Sequence, residues 1–182
     1  MENRRTKLTK RLLKESLIEI LYKKDISHIT IKEVCENADL NRSTFYSYYQ
    51  SIYQLLEEIT NDMISHVPFS DGKSQYTHLE LEEYIQYIHN HKNIYSVLLN
   101  QGAFHQLLTK KCHDQFLKSS LSYDNSKSNN IEYYDALSAY CISGTENFLS
   151  YCLESSISIK EQAQILYLLI SQAKSILSNY FQ

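Results

Sequence analysis

The chain has 182 residues, a formal net charge of −3, and 43% apolar and 21% charged residues. That is the balance of a globular protein with room for one domain, or for a small domain joined to a larger one. Three glycines (Gly72, Gly102, Gly144) and one proline (Pro68) exclude a many-stranded sandwich or barrel, whose turns need them. They also exclude a Rossmann fingerprint or a P-loop, which need clustered glycines. The composition predicts an all-α fold.

The charge is uneven. Residues 1–14 hold six cations (Arg4, Arg5, Lys7, Lys10, Arg11, Lys14) and one acid, whereas residues 61–182 hold eight cations and twelve acids. An acidic body with a basic end fits contact with a polyanion, and also fits a solvated basic helix. No apolar h-region follows the basic start, and the longest apolar run, Ile165 to Ile170, is too short to span a bilayer. A cytoplasmic protein without membrane contact is expected, with Cys35, Cys112, Cys141 and Cys152 reduced. No CxxC is present to suggest a zinc knuckle or a thioredoxin motif.

The first predicted helix covers Thr6 to Lys24. Leu13, Leu17, Ile20 and Leu21 share one face, which leaves Lys10 and Lys14 for solvent or phosphate. Thr30-Ile31-Lys32-Glu33 is a capping box, with Ile29 and Val34 as its hydrophobic staple, and opens a short helix to Ala38. Asp39-Leu40-Asn41 breaks it, Asp tolerating the left-handed backbone of such a turn. Asn41 is placed to cap a third helix, Arg42 to Tyr48, with Leu40 and Phe45 at staple spacing. Ser51 and Gln54 form a further box, opening a helix through Leu55, Leu56, Ile59 and Met63. Two short helices around a three-residue turn are the helix-turn-helix layout. The second of them exposes Arg42, Ser43 and Ser47, groups that hold phosphates and read base edges.

Residues 67–76, with Pro68, Asp71 and Gly72, read as a loop. Leu81, Tyr84, Ile85 and Ile88 make the next stripe. A short helix near Ile94 to Leu99 follows, then a stripe of Phe104, Leu107, Leu108 and Cys112, then a polar linker over 122–130. Two long helices close the chain, about Ile131 to Glu154 and Ile159 to Tyr180. The first has Tyr133, Leu137, Tyr140, Gly144, Phe148 and Tyr151 on one stripe and Tyr134, Ile142, Leu149 and Leu153 on another. The second has Ala163, Tyr167, Ile170 and Leu177 beside Ile165, Leu168, Leu169 and Ile176. Two stripes on one helix predict burial on two sides, one against the chain's own core and one against a second copy. Gly144 inside a helix costs about 1 kcal/mol against Ala and suggests close helix contact.

Residues Thr30 to Leu56 resemble the DNA-binding domain of the TetR/AcrR family of bacterial regulators, whose signature here is Ser43-Thr44-Phe45-Tyr46-Ser47-Tyr48-Tyr49. The resemblance covers about residues 6–56; beyond it, the Ala139 to Leu153 segment resembles a subgroup with a mid-helix glycine. It implies a homodimer of all-α subunits. Each would have a three-helix helix-turn-helix DNA-binding domain (residues 1–52) and a C-terminal helical ligand and dimerisation domain (53–182), with about nine helices in total. By motif position, Thr30 and Lys32 would meet the DNA backbone. Arg42, Ser43 and Thr44 would face the groove, Tyr46 and Tyr48 would hold phosphates, and Phe45 and Tyr49 would be core. Two positions depart from the family pattern: Asp39 stands where Gly is usual, and Ile52 where Lys is usual.

Tyr84, Tyr87, Tyr140 and Phe148 are candidate pocket residues, since Tyr offers both apolar wall and polar tip. Tyr serves core edges and interfaces equally well. Gly144, Tyr151, Tyr167 and Ile170 are candidate dimer-interface residues of the last two helices. His105, Cys112 and His113 share a helix face, but that spacing alone does not make a metal site, and no metal or cofactor is expected. No nucleophile elbow, HExxH or paired-carboxylate motif points to an enzyme. The expected function is a transcriptional regulator, in the usual form a repressor on a palindromic operator, released by a small-molecule effector. The alternative is a ligand-independent regulator or co-activator whose C-terminal domain binds a partner protein.

Overall fold

Every regular element in the computed structural model is helical; it describes residues 3–66, 77–102, 104–107, 109–110 and 131–180, with backbone alone at 131–135, 137, 138, 173, 174 and 176–180. The elements are α1 (Arg4–Leu21), a 3-10 turn (Ile26–His28), α2 (Ile31–Asn37), α3 (Arg42–Tyr46), α4 (Ile52–Ile64), α5 (His78–Asn90), α6 (Lys92–Leu98), α7 (Ile131–Glu154) and α8 (Ile159–Tyr180). They form two compact units. One is Met1–Met63 with Val97–Leu107; the other is Ile64–Ser96 with Leu108–Gln182. The loop at 67–76 and the linker at 122–130 lie outside the described residues, as do Leu108, Cys112 and His113.

In the first unit, α1 starts earlier than its periodicity suggests because the Asn3 side chain accepts from the Arg5 N–H and caps it. Its inner face is Leu13, Leu17, Ile18 and Leu21; Ile18, not Ile20, completes it. Burying each such leucine contributes about 2 kcal/mol. The Ser16 hydroxyl donates to the Val34 carbonyl at 2.8 Å, and the Asn37 amide donates to Ser16 and to Glu19, so α2 is tied to α1 at its carboxyl end. Leu55, Leu56, Ile59 and Met63 of α4 are buried as their spacing predicts. The unit therefore runs past residue 52 and includes most of α4. The Ser51 hydroxyl accepts from Gln54 N–H as a cap should, but the Gln54 side chain reaches back to the Gln50 N–H, one residue before the expected one.

Residues 97–107 join this unit from far along the chain. Val97, Leu98, Gln101 and Phe104 are buried. The Gln101 side-chain carbonyl accepts from the Ile26 N–H at 3.1 Å, across 75 residues.

In the second unit, a Thr77–Glu80 capping box opens α5, and Leu81, Tyr84, Ile85 and Ile88 form its buried face. That face packs mainly along α8 and secondarily on α7. A Ser158–Glu161 box opens α8. At the α7–α8 corner, fully buried Gln162 donates to the carbonyls of Cys152 (3.3 Å) and Ile157 (2.8 Å), while its oxygen faces Nε2 of His89 on α5 at 3.0 Å.

Among the described residues, the paired stripes of the last two helices resolve into one buried and one open face; Tyr133, Tyr134, Leu137, Ile176 and Leu177 of those stripes lie outside the described side chains. Inward lie Glu146, Leu149, Cys152 and Leu153 of α7 with Gln162, Ala163 and Leu166 of α8. Leu166, which neither predicted stripe contained, is fully buried. Tyr140 and Tyr151 on α7, and Ile165, Leu168 and Leu169 on α8, are exposed. Tyr167 and Ile170 are half-buried. A Cβ at Gly144 would meet nothing within 4 Å, so close packing inside the chain does not account for this glycine.

Candidate nucleic-acid interface

Four local devices set the helix-turn-helix. The Thr30 hydroxyl accepts from the Glu33 N–H at 3.3 Å and donates to the Glu33 carboxylate at 2.8 Å, which also accepts from the Thr30 N–H. Lys24 pairs with the same carboxylate. The hydrogen bonds from Lys24, then those from Thr30, hold the Glu33 carboxyl down at about 2. Beyond α2, Asp39 takes φ of 52°, the left-handed turn its position requires, and the Leu40 N–H closes back on the Cys35 carbonyl at 2.9 Å. Phe45 and Tyr49, fully buried with ring centroids 5.6 Å apart, pin α3 from beneath. The expected core roles of both are met.

Above that anchor, α3 presents Arg42, Ser43, Tyr46 and Ser47 to solvent, with Tyr46 59% exposed. Thr44 and Tyr48 are half-buried. The Ser47 hydroxyl donates to the Ser43 carbonyl at 2.9 Å, so its oxygen is left to accept from a base amine. Thr30 and Lys32 are exposed on α2, Lys32 beside Glu36 at 3.6 Å. The Thr30 hydroxyl proton is committed to Glu33, which makes Thr30 a cap first.

Two readings change here. Lys10 and Lys14 are not free for phosphate: Lys10 pairs with Glu58 at 3.2 Å, and Lys14 with Glu58 at 2.8 Å and Asp62 at 2.6 Å. Burial by itself would lower the Lys14 pKa, but the bonds to Asp62 and Glu58 outweigh it and raise it. The exposed cations of α1 are Arg4, Arg5, Lys7 and Arg11. Second, Asn41 occupies the N-cap position of α3, yet its side chain makes no cap hydrogen bond. The Asn41 backbone carbonyl accepts from Thr44 and Phe45 instead. An exposed amide beside Arg42 adds Asn41 to the candidate readers, because Asn pairs in bidentate fashion with adenine. Its good N-cap propensity hid that role in the sequence.

The pocket candidates differ in exposure. Tyr84 is buried and Tyr87 half-buried on α5, with Tyr87 stacked on His66 at 3.8 Å and edge-on to buried Tyr95. Burial pushes the Tyr95 phenol well above the usual tyrosine range. Phe148 is half-buried on α7, and Tyr140 is 76% exposed, so Tyr140 lines no interior of its own chain. Among the described residues, no three His, Cys, Asp or Glu gather as metal ligands, and no helix is long and apolar enough to cross a membrane.

The chain is similar to a TetR transcriptional regulator from Streptococcus agalactiae 2603V (20% identity, 89% of this chain and 93% of that one, TM-score 0.62). It is also similar to a TetR-like transcriptional regulator from Rhodococcus sp. RHA1 (13% identity, 98% and 99%, TM-score 0.61). In sequence it is 32% identical over 107 residues to the HTH-type transcriptional regulator YxbF of Bacillus subtilis (strain 168), covering 52% of this chain. The chain spans about a quarter (27%) of the length of that curated relative. No protein-family model matches the chain. The fold is that of TetR-type transcriptional regulators, with a helix-turn-helix followed by a larger helical region.

Proposed function

We propose that the protein is a sequence-specific DNA-binding transcriptional regulator of the TetR type. It acts as a homodimer, and its two α3 helices enter successive major grooves of a palindromic operator about 34–36 Å apart. The observation that carries this is α3 itself: a helix pinned by buried Phe45 and Tyr49 that offers Arg42, Ser43 and Tyr46 outward. Arg42, Ser43, Thr44 and Asn41 read the groove. Tyr46, Tyr48 and Lys32 hold the backbone. Thr30 fixes the start of α2.

The open apolar face of α7 and α8, with Tyr140, Tyr151, Ile165, Leu168 and Leu169 along it, supports dimerisation through the last two helices; exposed Gly144 and half-buried Tyr167 and Ile170 are further candidates for that interface. A small-molecule effector in the second unit, near Tyr84 and Tyr87, releases the operator by preferring one separation of the recognition helices. In this reading the protein is a repressor.

The test is a fluorescence-anisotropy titration of the full chain against the DNA upstream of its own gene, over a salt series. Tight, sequence-selective binding with a steep salt slope supports the reading. Weak, non-selective binding overturns it in favour of the co-activator alternative, in which the α7–α8 face takes a partner protein.

A further inference from the structure

The DNA-binding unit is discontinuous in sequence, and the bond that closes it is polar and buried. Ile26 is the first residue of the 3-10 turn before α2. Asp25 serves the next two donors there: its carboxylate accepts from the Ser27 N–H at 2.8 Å, and its carbonyl from the His28 N–H at 3.0 Å. The Ile26 N–H lies too early in the turn for an internal partner. Ile26 is 3% exposed, so water does not serve that donor either. The Gln101 side-chain oxygen does.

Gln101 is itself held at both ends. Its N–H donates to the Leu98 carbonyl at 2.9 Å, and its own carbonyl accepts from Phe104 (3.0 Å) and His105 (3.1 Å). Buried Leu98 and Phe104 anchor the backbone on either side. On the other partner's side, the 3-10 turn runs straight into Ile29 and the Thr30–Glu33 box that starts α2. Val97 and Leu98, the last residues of α6, belong to the same unit as Gln101.

We infer that Gln101 is a positioning residue for the helix-turn-helix: its side-chain oxygen sets where α2 begins, and through α2 and the Asp39 turn it sets the pose of α3. The inference rests on the DNA-binding reading for its consequence, but not for its geometry.

The test uses the full chain with Gln101→Leu, which keeps the bulk and removes the acceptor, and Gln101→Glu, which keeps an oxygen there. Amide exchange is read along the chain, and DNA affinity is measured over a salt series on the DNA upstream of its own gene. Gln101→Leu is expected to speed exchange at residues 26–33 roughly tenfold, with α5 and α8 unchanged. It should also weaken DNA binding about tenfold at an unaltered salt slope, since no phosphate contact is lost. Gln101→Glu is expected to restore both. Wild-type exchange at 26–33 in the Leu variant, a uniform rise over the whole chain, outright unfolding, or a Glu variant no better than Leu would each overturn the proposal. A wild-type protein that selects no DNA sinks the regulatory reading alone; the exchange pattern still decides the role of Gln101.

Discussion

Lys10 on α1 donates to Glu58 on α4 at 3.2 Å, across 48 residues of sequence. Its ammonium also lies 5.7 Å from the centroid of the Tyr49 ring, within cation–π range. One carboxylate thus neutralises a cation that the sequence offers to DNA, and it holds Lys14 as well. Glu58→Gln should cost about 1 kcal/mol of stability, the scale of a half-exposed ion-pair network. It should also steepen the salt dependence of DNA binding by about one phosphate contact as Lys10 is released. Urea unfolding and an anisotropy salt series measure the two effects; an unchanged salt slope would show that Lys10 lies out of reach of DNA.

Asp39 holds the turn in a left-handed conformation and places an acid just before α3. Asp39→Val should destabilise by about 1–2 kcal/mol, because a β-branched side chain is poorly tolerated there. Asp39→Gly should leave stability within about 0.5 kcal/mol, since easier backbone geometry offsets the greater freedom of the unfolded chain. It should tighten DNA binding by removing a negative charge. Paired denaturation and binding curves decide; weaker binding by the Gly variant would mean that Asp39 itself reads DNA.

The capping box sets an acid dependence. Glu33 is lowered from an ordinary 4.5 to about 2 in the folded chain. A depressed folded pKa contributes stability that is present above the unfolded value and lost as pH falls toward the folded one. Glu58 and Glu161 shift in the same direction. For Glu58, burial opposes the shift and the bonds from Lys14 and Lys10 outweigh it; for Glu161, the bonds from Ser158 lower it. Stability should therefore fall from about pH 4.5 toward pH 2. Thr30→Ala should cost about 1 kcal/mol at neutral pH, as N-cap removals do, and flatten that acid limb. A urea series at stepped pH would expose an error here if the two proteins ran parallel below pH 4.5.

On α3, Arg42→Ala and Tyr46→Phe should part company. If Arg42 reads a base, its loss removes about 1–3 kcal/mol at one base pair and relaxes selectivity there; if it holds phosphate, selectivity stays intact. If Tyr46 holds phosphate, as proposed, its loss weakens all sequences alike. Binding measured across a library of single-base operator variants separates them, and a position-specific effect of Tyr46→Phe would reassign that residue to base reading.

The helix-turn-helix was legible because its signals are local. Thr30 and Glu33 are three residues apart, Asp39 follows α2 directly, and Phe45 and Tyr49 lie one turn apart. What the sequence hides is partnership at long range. Nothing near Lys10 or Lys14 announces Glu58 and Asp62, and nothing near Gln101 announces Ile26. The α8 stripes failed differently: with apolar residues almost all round the helix, periodicity could not choose a face, and Leu166 fell between the two proposed. Asn41 shows the limit of propensity, since a good capping residue in the right place is left uncapping.

If the α7–α8 face joins two copies, Leu168→Glu with Leu169→Glu should give a folded monomer. Two buried charges, doubled by the symmetry, cost far more than the contacts return. Sedimentation at micromolar concentration is the measure, with circular dichroism to show that helix content is kept. A dimer that survives both substitutions would move the interface elsewhere.

Gln162 settles a question on a neighbouring helix. Both of its amide hydrogens go to carbonyls, Cys152 and Ile157, so its oxygen can only accept. The Nε2 atom of His89 must then carry a hydrogen and donate it to that oxygen. The corner between α7 and α8 is thereby fastened to α5 through an imidazole whose tautomer is dictated by a buried amide on another helix.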